Sequence, residues 1–399
     1  MNSNKDLLYG YVNSKGEFIL PPRYSYAFEF QNGLAWVIEN GKYGLLKKNG
    51  EYLIPTQFDF VKKLSKEITA VNLNNVWGLI DIKGTYILFP NIDVIYIEEF
   101  HEGFSAIYTN NGYGFINLKG EVVITPRFID LDWRYKGFSE GLVAVSHIDD
   151  EDIYFERELW GYSNSEGAMK IPFQFQDACR FSEGLASVKI KDKWGFINRD
   201  GDFVIQPIYD STVDFENGLA NVEIDGKWGY INKKGKIVID IRFDRPSEFI
   251  DDFASVKFEK KFGLIDRKGN MIVEPKFDKK FIFTSGLAEV EYEGYYGIIN
   301  LNGEFVIEPI YDDLFWYHGI LIFKSSKGKY GAINLKGEVT IDPIFEDLFF
   351  FYEGYAVVRH ENRYGCINKS GEIIIESKFI DTGAGFSDGL LCVGVTKEN

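Results

Sequence analysis

Lys193-Trp-Gly-Phe-Ile-Asn-Arg-Asp-Gly-Asp-Phe-Val-Ile-Gln-Pro207 decides how this chain is built. An aromatic ring precedes a glycine at Trp194-Gly195. Asn198 stands three residues before a second glycine, Gly201, and aliphatic side chains at Ile197 and Ile205 flank the turn between them. Asparagine bonds the backbone ahead of it and glycine accepts the positive φ that closes a tight turn, so the stretch predicts a β-hairpin. The aromatic–glycine pair recurs with its aromatic at residues 9, 43, 77, 113, 160, 194, 228, 262, 296, 330 and 364, and eight of the ten intervals are 34 residues. Trp77, Trp160 and Trp228 keep the letter of Trp194, while seven copies carry Tyr or Phe. The second glycine always follows the first by six residues, as Gly235 follows Gly229. A register held eleven times reads as a single repeat array over residues 1–399, with one irregular insertion at 129–158.

The pattern also assigns faces. Ten residues after the first glycine every copy has an aliphatic side chain, from Leu20 to Ile375. The strand that carries the aromatic–glycine pair is apolar on both sides, as at Phe196 and Ile197, so each sheet should be covered on both sides. A third strand, Leu219-Ala-Asn-Val-Glu-Ile224, alternates with period two and leads into the next hairpin. The expected fold is all-β: a tandem array of small three-stranded antiparallel sheets stacked as an open solenoid or superhelix. A propeller ring usually holds roughly four to eight blades of four strands, which argues against one ring of eleven. The alternative is a closed β-propeller-like ring, or two rings. In its favour, the last strand, Gly389-Leu-Leu-Cys-Val-Gly-Val395, is left over at the end and would complete the first hairpin.

Composition narrows the function classes. The chain is 45% hydrophobic, with 35 Phe, 24 Tyr and 7 Trp, ample for a core. Its net charge of −16 argues against nucleic acid, whose binding needs clustered cations, and against an anionic membrane surface. The first residues carry no secretory signal pattern and no apolar run reaches spanning length, so a cytoplasmic protein is expected. Cys179, Cys366 and Cys392 form neither a disulfide framework nor a metal spacing, and read as buried thiols. His101, His147, His318 and His360 are scattered, and no phosphate loop or nucleophile elbow occurs. No catalytic residue, cofactor or metal is therefore assigned, and an enzyme is not expected.

The strings Lys193-Trp-Gly-Phe-Ile-Asn198 and Phe181-Ser-Glu-Gly-Leu-Ala186 resemble the bacterial WG-repeat (KWG-repeat) family, from Tyr9 to the final strand. That resemblance implies interaction modules, and with it a binding scaffold for a protein or peptide. A carbohydrate-binding module using aromatic side chains is the rival reading.

Contact residues are sought where the repeat is broken or turned outward. Trp36 shares a third-strand position with Ser187, Asn221, Ser255 and Glu289, and period-two alternation places that row on the outside. The fourth copy is 13 residues longer; its enlarged loop offers Trp133, Arg134 and Tyr135, and its extended connection offers Asp149, Asp150, Glu151, Asp152 and Tyr154. The acidic run lacks the spacing and central glycine of a calcium loop and reads as a solvated tip. Trp316 stands where most copies have Phe and reads as core. The motif aromatics read as packing against the neighbouring repeat, and truncating a buried Trp194 should cost about 3–5 kcal/mol.

Overall fold

The computed structural model of the chain describes residues 7–88, 92–132, 134–149, 157–317 and 319–397. Eleven small antiparallel sheets follow one another, eight with four strands and three with three. The repeat centred on Trp194 shows the pattern. Strand Leu185–Ile190 turns into Lys193–Ile197, which turns into Phe203–Tyr209, and a first strand, Asp177–Ser182, lies on the free edge of Leu185–Ile190. The expectation of three strands is corrected by this fourth one. In the next sheet it shrinks to Ser211–Thr212, paired with Glu223 and Val222. It donates to an edge that would otherwise stay open, as the backbone's polar groups require.

Each hairpin closes as its residues dictate. Asn198 Oδ1 accepts the N–H groups of Asp200 and Asp202 at 3.0 and 2.9 Å, and Gly201 sits at φ +90°. The same side-chain capture recurs at Asn13, Asp81, Asn117, Asn164, Asn232, Asp266, Asn300, Asn334 and Asn368. The position of Gly201 is also a contact between sheets: a Cβ there would lie 3.3 Å from Ile171 Cγ2 of the preceding sheet. Gly195 is constrained differently. The outer strand bulges opposite it, between the Trp194–Tyr209 and Phe196–Ile205 pairs, and brings Ile205 O to 2.6 Å and Pro207 N to 2.7 Å of where a Cβ would sit.

The core lies between consecutive sheets. Phe196, Ile205 and Tyr209 of one sheet pack with Phe215, Ala220, Val222 and Ile231 of the next, and Trp194 covers the edge of this cluster. Trp77 and Trp160 are buried, whereas Trp194 and Trp228 are half-buried. The cost of Trp194→Ala is accordingly set lower than for a fully buried ring, at about 2 kcal/mol. Chemical denaturation of the variant against the parent chain measures it.

The sheets fall into two compact units, Met1–Val61 with Phe283–Asn399, and Lys62–Ile282. Within the first, the leftover strand finds its partner. Leu391–Thr396 pairs antiparallel with Leu7–Val12, Leu8 opposite Val395 and Gly10 opposite Val393. The sheet is completed by Phe18–Tyr24 on one side and Asp381–Thr382 on the other. One sheet is thus built from both ends of the chain. That pairing of the first and last strands is what the propeller-like alternative expects, and the unpaired last strand of an open array is corrected. A fourth strand in eight of the eleven sheets lifts the objection that strand count raised.

Candidate functional site

The string Phe181-Ser-Glu-Gly184 is a clamp between blades. Ser182 Oγ donates to Phe215 O of the next blade at 2.6 Å, and the Glu183 carboxylate accepts the Gly218 N–H at 3.0 Å. One blade earlier, Ser139 donates to Phe181 O at 2.7 Å and Glu140 accepts the Gly184 N–H at 3.1 Å. At the chain ends, Ser387 donates to Phe30 O at 2.5 Å and Asp388 accepts the Gly33 N–H at 2.6 Å. These are charge-assisted bonds to backbone donors, stronger than neutral ones. The lysine of the aromatic–glycine motif has a different partner, a carboxylate 17 residues on within its own blade, as in Lys193–Asp210 and Lys227–Asp244. Such exposed pairs contribute little to stability.

In the unit Lys62–Ile282 the enlarged loop of the fourth copy turns inward. Asp132 is buried, accepts the Arg180 backbone N–H at 3.0 Å, and pairs with Arg134 Nε at 3.3 Å. Arg134 also reaches Cys179 Sγ. Arg180 lies 4.5 Å over the Tyr135 ring and 3.1 Å from Asp214 Oδ2. Burial pushes the Asp177 and Asp214 carboxyls up from the usual carboxylate range, and the arginines pull them back. The cluster spans three successive blades and sets two arginines against three carboxylates. It fastens them together.

The unit Met1–Val61 with Phe283–Asn399 presents a different surface. Strands Leu314–Tyr317 and Asp347–Tyr352 are the first strands of neighbouring blades. Between them opens a cleft of about 260 Å³ lined by Phe315, Ile322, Tyr330, Leu348, Phe349 and Phe350, with Asp347 as the acidic residue of its lining. Phe315, Phe349 and Tyr352 are 38%, 36% and 37% exposed. Tyr317 stacks on Phe350 at 4.5 Å and approaches Tyr352 at 6.0 Å. Arg359 Nε donates to Asp347 Oδ2 at 2.5 Å.

A model of the WG containing repeat matches residues 9–43, 43–77, 77–113, 113–147, 160–194, 194–228, 228–262, 262–296, 296–330, 330–364 and 364–395. The chain belongs to the WG-repeat family. The matches skip the connection after His147, where the hairpin strands Leu142–Asp149 and Arg157–Asn164 are lengthened to eight residues each. No curated protein matches the chain. Among solved structures it is similar to the eukaryotic initiation factor (11% identity, 84% of this chain and 95% of that one, TM-score 0.45). It is also similar to BamB from Moraxella catarrhalis (11%, 86% and 98%, TM-score 0.32) and to Kluyveromyces lactis Hsv2p (8%, 66% and 90%, TM-score 0.32).

Several contact residues expected from sequence take other places in the WG array. Ser187, Asn221 and Ser255 are buried rather than outward, because both faces of each blade are covered; their row turns toward the next blade, Ser187 beside Phe196. Glu289 and Trp36 on that row are half-buried, and the Trp36 ring lies 6.5 Å from Phe58. Arg134 is exposed and Tyr135 half-buried, and both turn back onto the Asp132–Arg180 cluster. Asp149 ends a strand; Trp133, Asp150, Glu151, Asp152 and Tyr154 lie outside the described residues. Trp316 packs on the core as expected. The aromatic cleft was not singled out. Its signal was present: Trp316 and Phe350, the middle residues of Phe315-Trp-Tyr317 and Phe349-Phe-Phe351, stand where other copies carry Arg180, Asp214 or Glu248.

Proposed function

We propose that this WG-repeat chain is a non-catalytic binding scaffold that grips a protein or peptide through the cleft between Leu314–Tyr317 and Asp347–Tyr352, and that it works in the cytoplasm. The observation that carries the reading is the cleft itself: exposed rings over a buried aliphatic floor, on strands whose counterparts in other blades bear charged groups. Contiguous exposed apolar surface of this kind marks interaction sites. The clamps between blades supply the rigid frame such a surface needs. The carboxylates Asp132 and Asp214 are tied to arginines, which supports a structural rather than a catalytic use for them.

The test is affinity capture with the full chain and with the double variant Phe315→Ser, Phe349→Ser, read by mass spectrometry. A protein held by the parent chain should be lost, by about tenfold or more, from a double variant that keeps its thermal midpoint within a few degrees. Val204→Ser, an exposed aliphatic in the other unit, should leave capture unchanged. Equal capture by the parent chain and the folded double variant would dismiss the cleft as the contact site.

A further inference from the structure

We infer that the occupant of the cleft is a bulky apolar side chain, aromatic or long aliphatic, carried by a basic peptide segment; this rests on the scaffold reading above and narrows it. The size of the cleft is the first reason. At about 260 Å³ it is smaller than the roughly 300–1,000 Å³ of pockets for drug-sized ligands, and takes one large side chain. Its chemistry is the second. Ile322 and Leu348 make a buried floor, Phe315, Phe349, Phe350 and Tyr330 the walls, and Oδ2 of Asp347 is already taken by Arg359. A sugar or an ionised group seated there would give up its water for few bonds, whereas an apolar side chain gives up nothing.

The rim decides the charge of the flanks. Glu346 is answered by Lys329 at 2.6 Å and Asp347 by Arg359 at 2.5 Å. Asp312 and Asp313, just ahead of Phe315, have no cation partner among the described residues. Glu353, just after Tyr352, is exposed and accepts only the Gly389 N–H among the described residues. Three carboxylates therefore stand at the ends of the two strands that frame the cleft, against one further cation, Lys324, whose Nζ lies 5.3 Å from the Tyr330 ring; the rim stays acidic, in a chain whose net charge is −16. Complementary charge steers association and selects partners, so lysines or arginines on either side of the anchor fit this rim and acidic flanks do not.

Four fluorescein-labelled nonapeptides test this by anisotropy with the full chain at near-physiological salt: a central Phe or Ser, flanked by Lys or by Glu. The Phe/Lys peptide should bind at least about tenfold tighter than both Ser/Lys and Phe/Glu. Phe349→Ser should abolish the preference for Phe. Asp312→Asn with Asp313→Asn, near-isosteric changes at one exposed and one half-buried position, should reduce the preference for Lys and spare that for Phe. Equal binding of Ser/Lys and Phe/Lys would overturn the anchor. Equal binding of Phe/Glu and Phe/Lys would overturn the basic flank while leaving the scaffold reading intact. Failure of all four peptides, with the captured protein still lost from the Phe315/Phe349 double variant, would overturn this inference alone; failure of both measurements would overturn the scaffold reading too.

Discussion

Gly195→Ala should destabilise the chain by about 3 kcal/mol, near the top of the range for forcing extra carbon into a packed site. A Cβ at this position meets Ile205 O at 2.6 Å and Pro207 N at 2.7 Å, and both are backbone atoms of the bulged outer strand that cannot rotate away. The strand would have to leave its register. The same collision is built into Gly229, Gly263, Gly297 and Gly331, so each should respond alike. Gly184→Ala is the control. Its φ is +84° with nothing within 4 Å of the added atom, so it should cost only the backbone strain of about 1–2 kcal/mol. Urea unfolding followed by tryptophan fluorescence separates the two. If Gly195→Ala cost no more than Gly184→Ala, close approach would not be the reason for the glycine of the WG pair.

Removal of the last strand, Leu391–Thr396, should have the largest effect of any short deletion. It takes away the six-residue pairing with Leu7–Val12 and the buried side chains Leu391, Cys392 and Val393, and it uncovers Tyr9 and Tyr11. At about 1.5–3 kcal/mol per buried apolar side chain the loss is on the order of 5 kcal/mol or more, comparable with the whole stability of many domains. The unit Met1–Val61 with Phe283–Asn399 should lose its cooperative transition, and hydrogen exchange at Leu7–Val12 should become fast. A thermal midpoint within about 2 °C of the parent chain would show that the terminal sheet contributes little.

The hairpins were legible because each is specified locally. Asn198 and Gly201 fix a turn whichever sheet it belongs to, and the aliphatic Ile205 packs on the turn of the next blade, where a Cβ on Gly235 would come within 3.3 Å of it. What lies opposite a face is not local. Period-two alternation put Ser187, Asn221 and Ser255 together correctly on one face, yet only the stacking of blades shows that this face is covered. The strand Ser211–Thr212 is too short to carry a period, and its pairing comes from the edge it completes. The inward course of Asp132 and Arg134 was hidden because their partners, Arg180 and Cys179, lie more than forty residues away. The cleft was missed for another reason: an aromatic such as Phe350 suits a core as well as a surface, and its meaning emerges only against Arg180 and Asp214 at the matching positions.

The sheet shared by the two ends of the WG array is the claim on which the rest depends, since it sets which strands of the unit Met1–Val61 with Phe283–Asn399 are edges. Leu8 stands directly opposite Val395 in that shared sheet. The most direct measurement is therefore oxidation of the double variant Leu8→Cys, Val395→Cys at high dilution, with peptide mapping of the disulfide. Cross-linking between residues 8 and 395 within one chain, abolished by denaturant applied before oxidation, is the result expected. Free thiols at both positions, or a disulfide formed only between two chains, would contradict it.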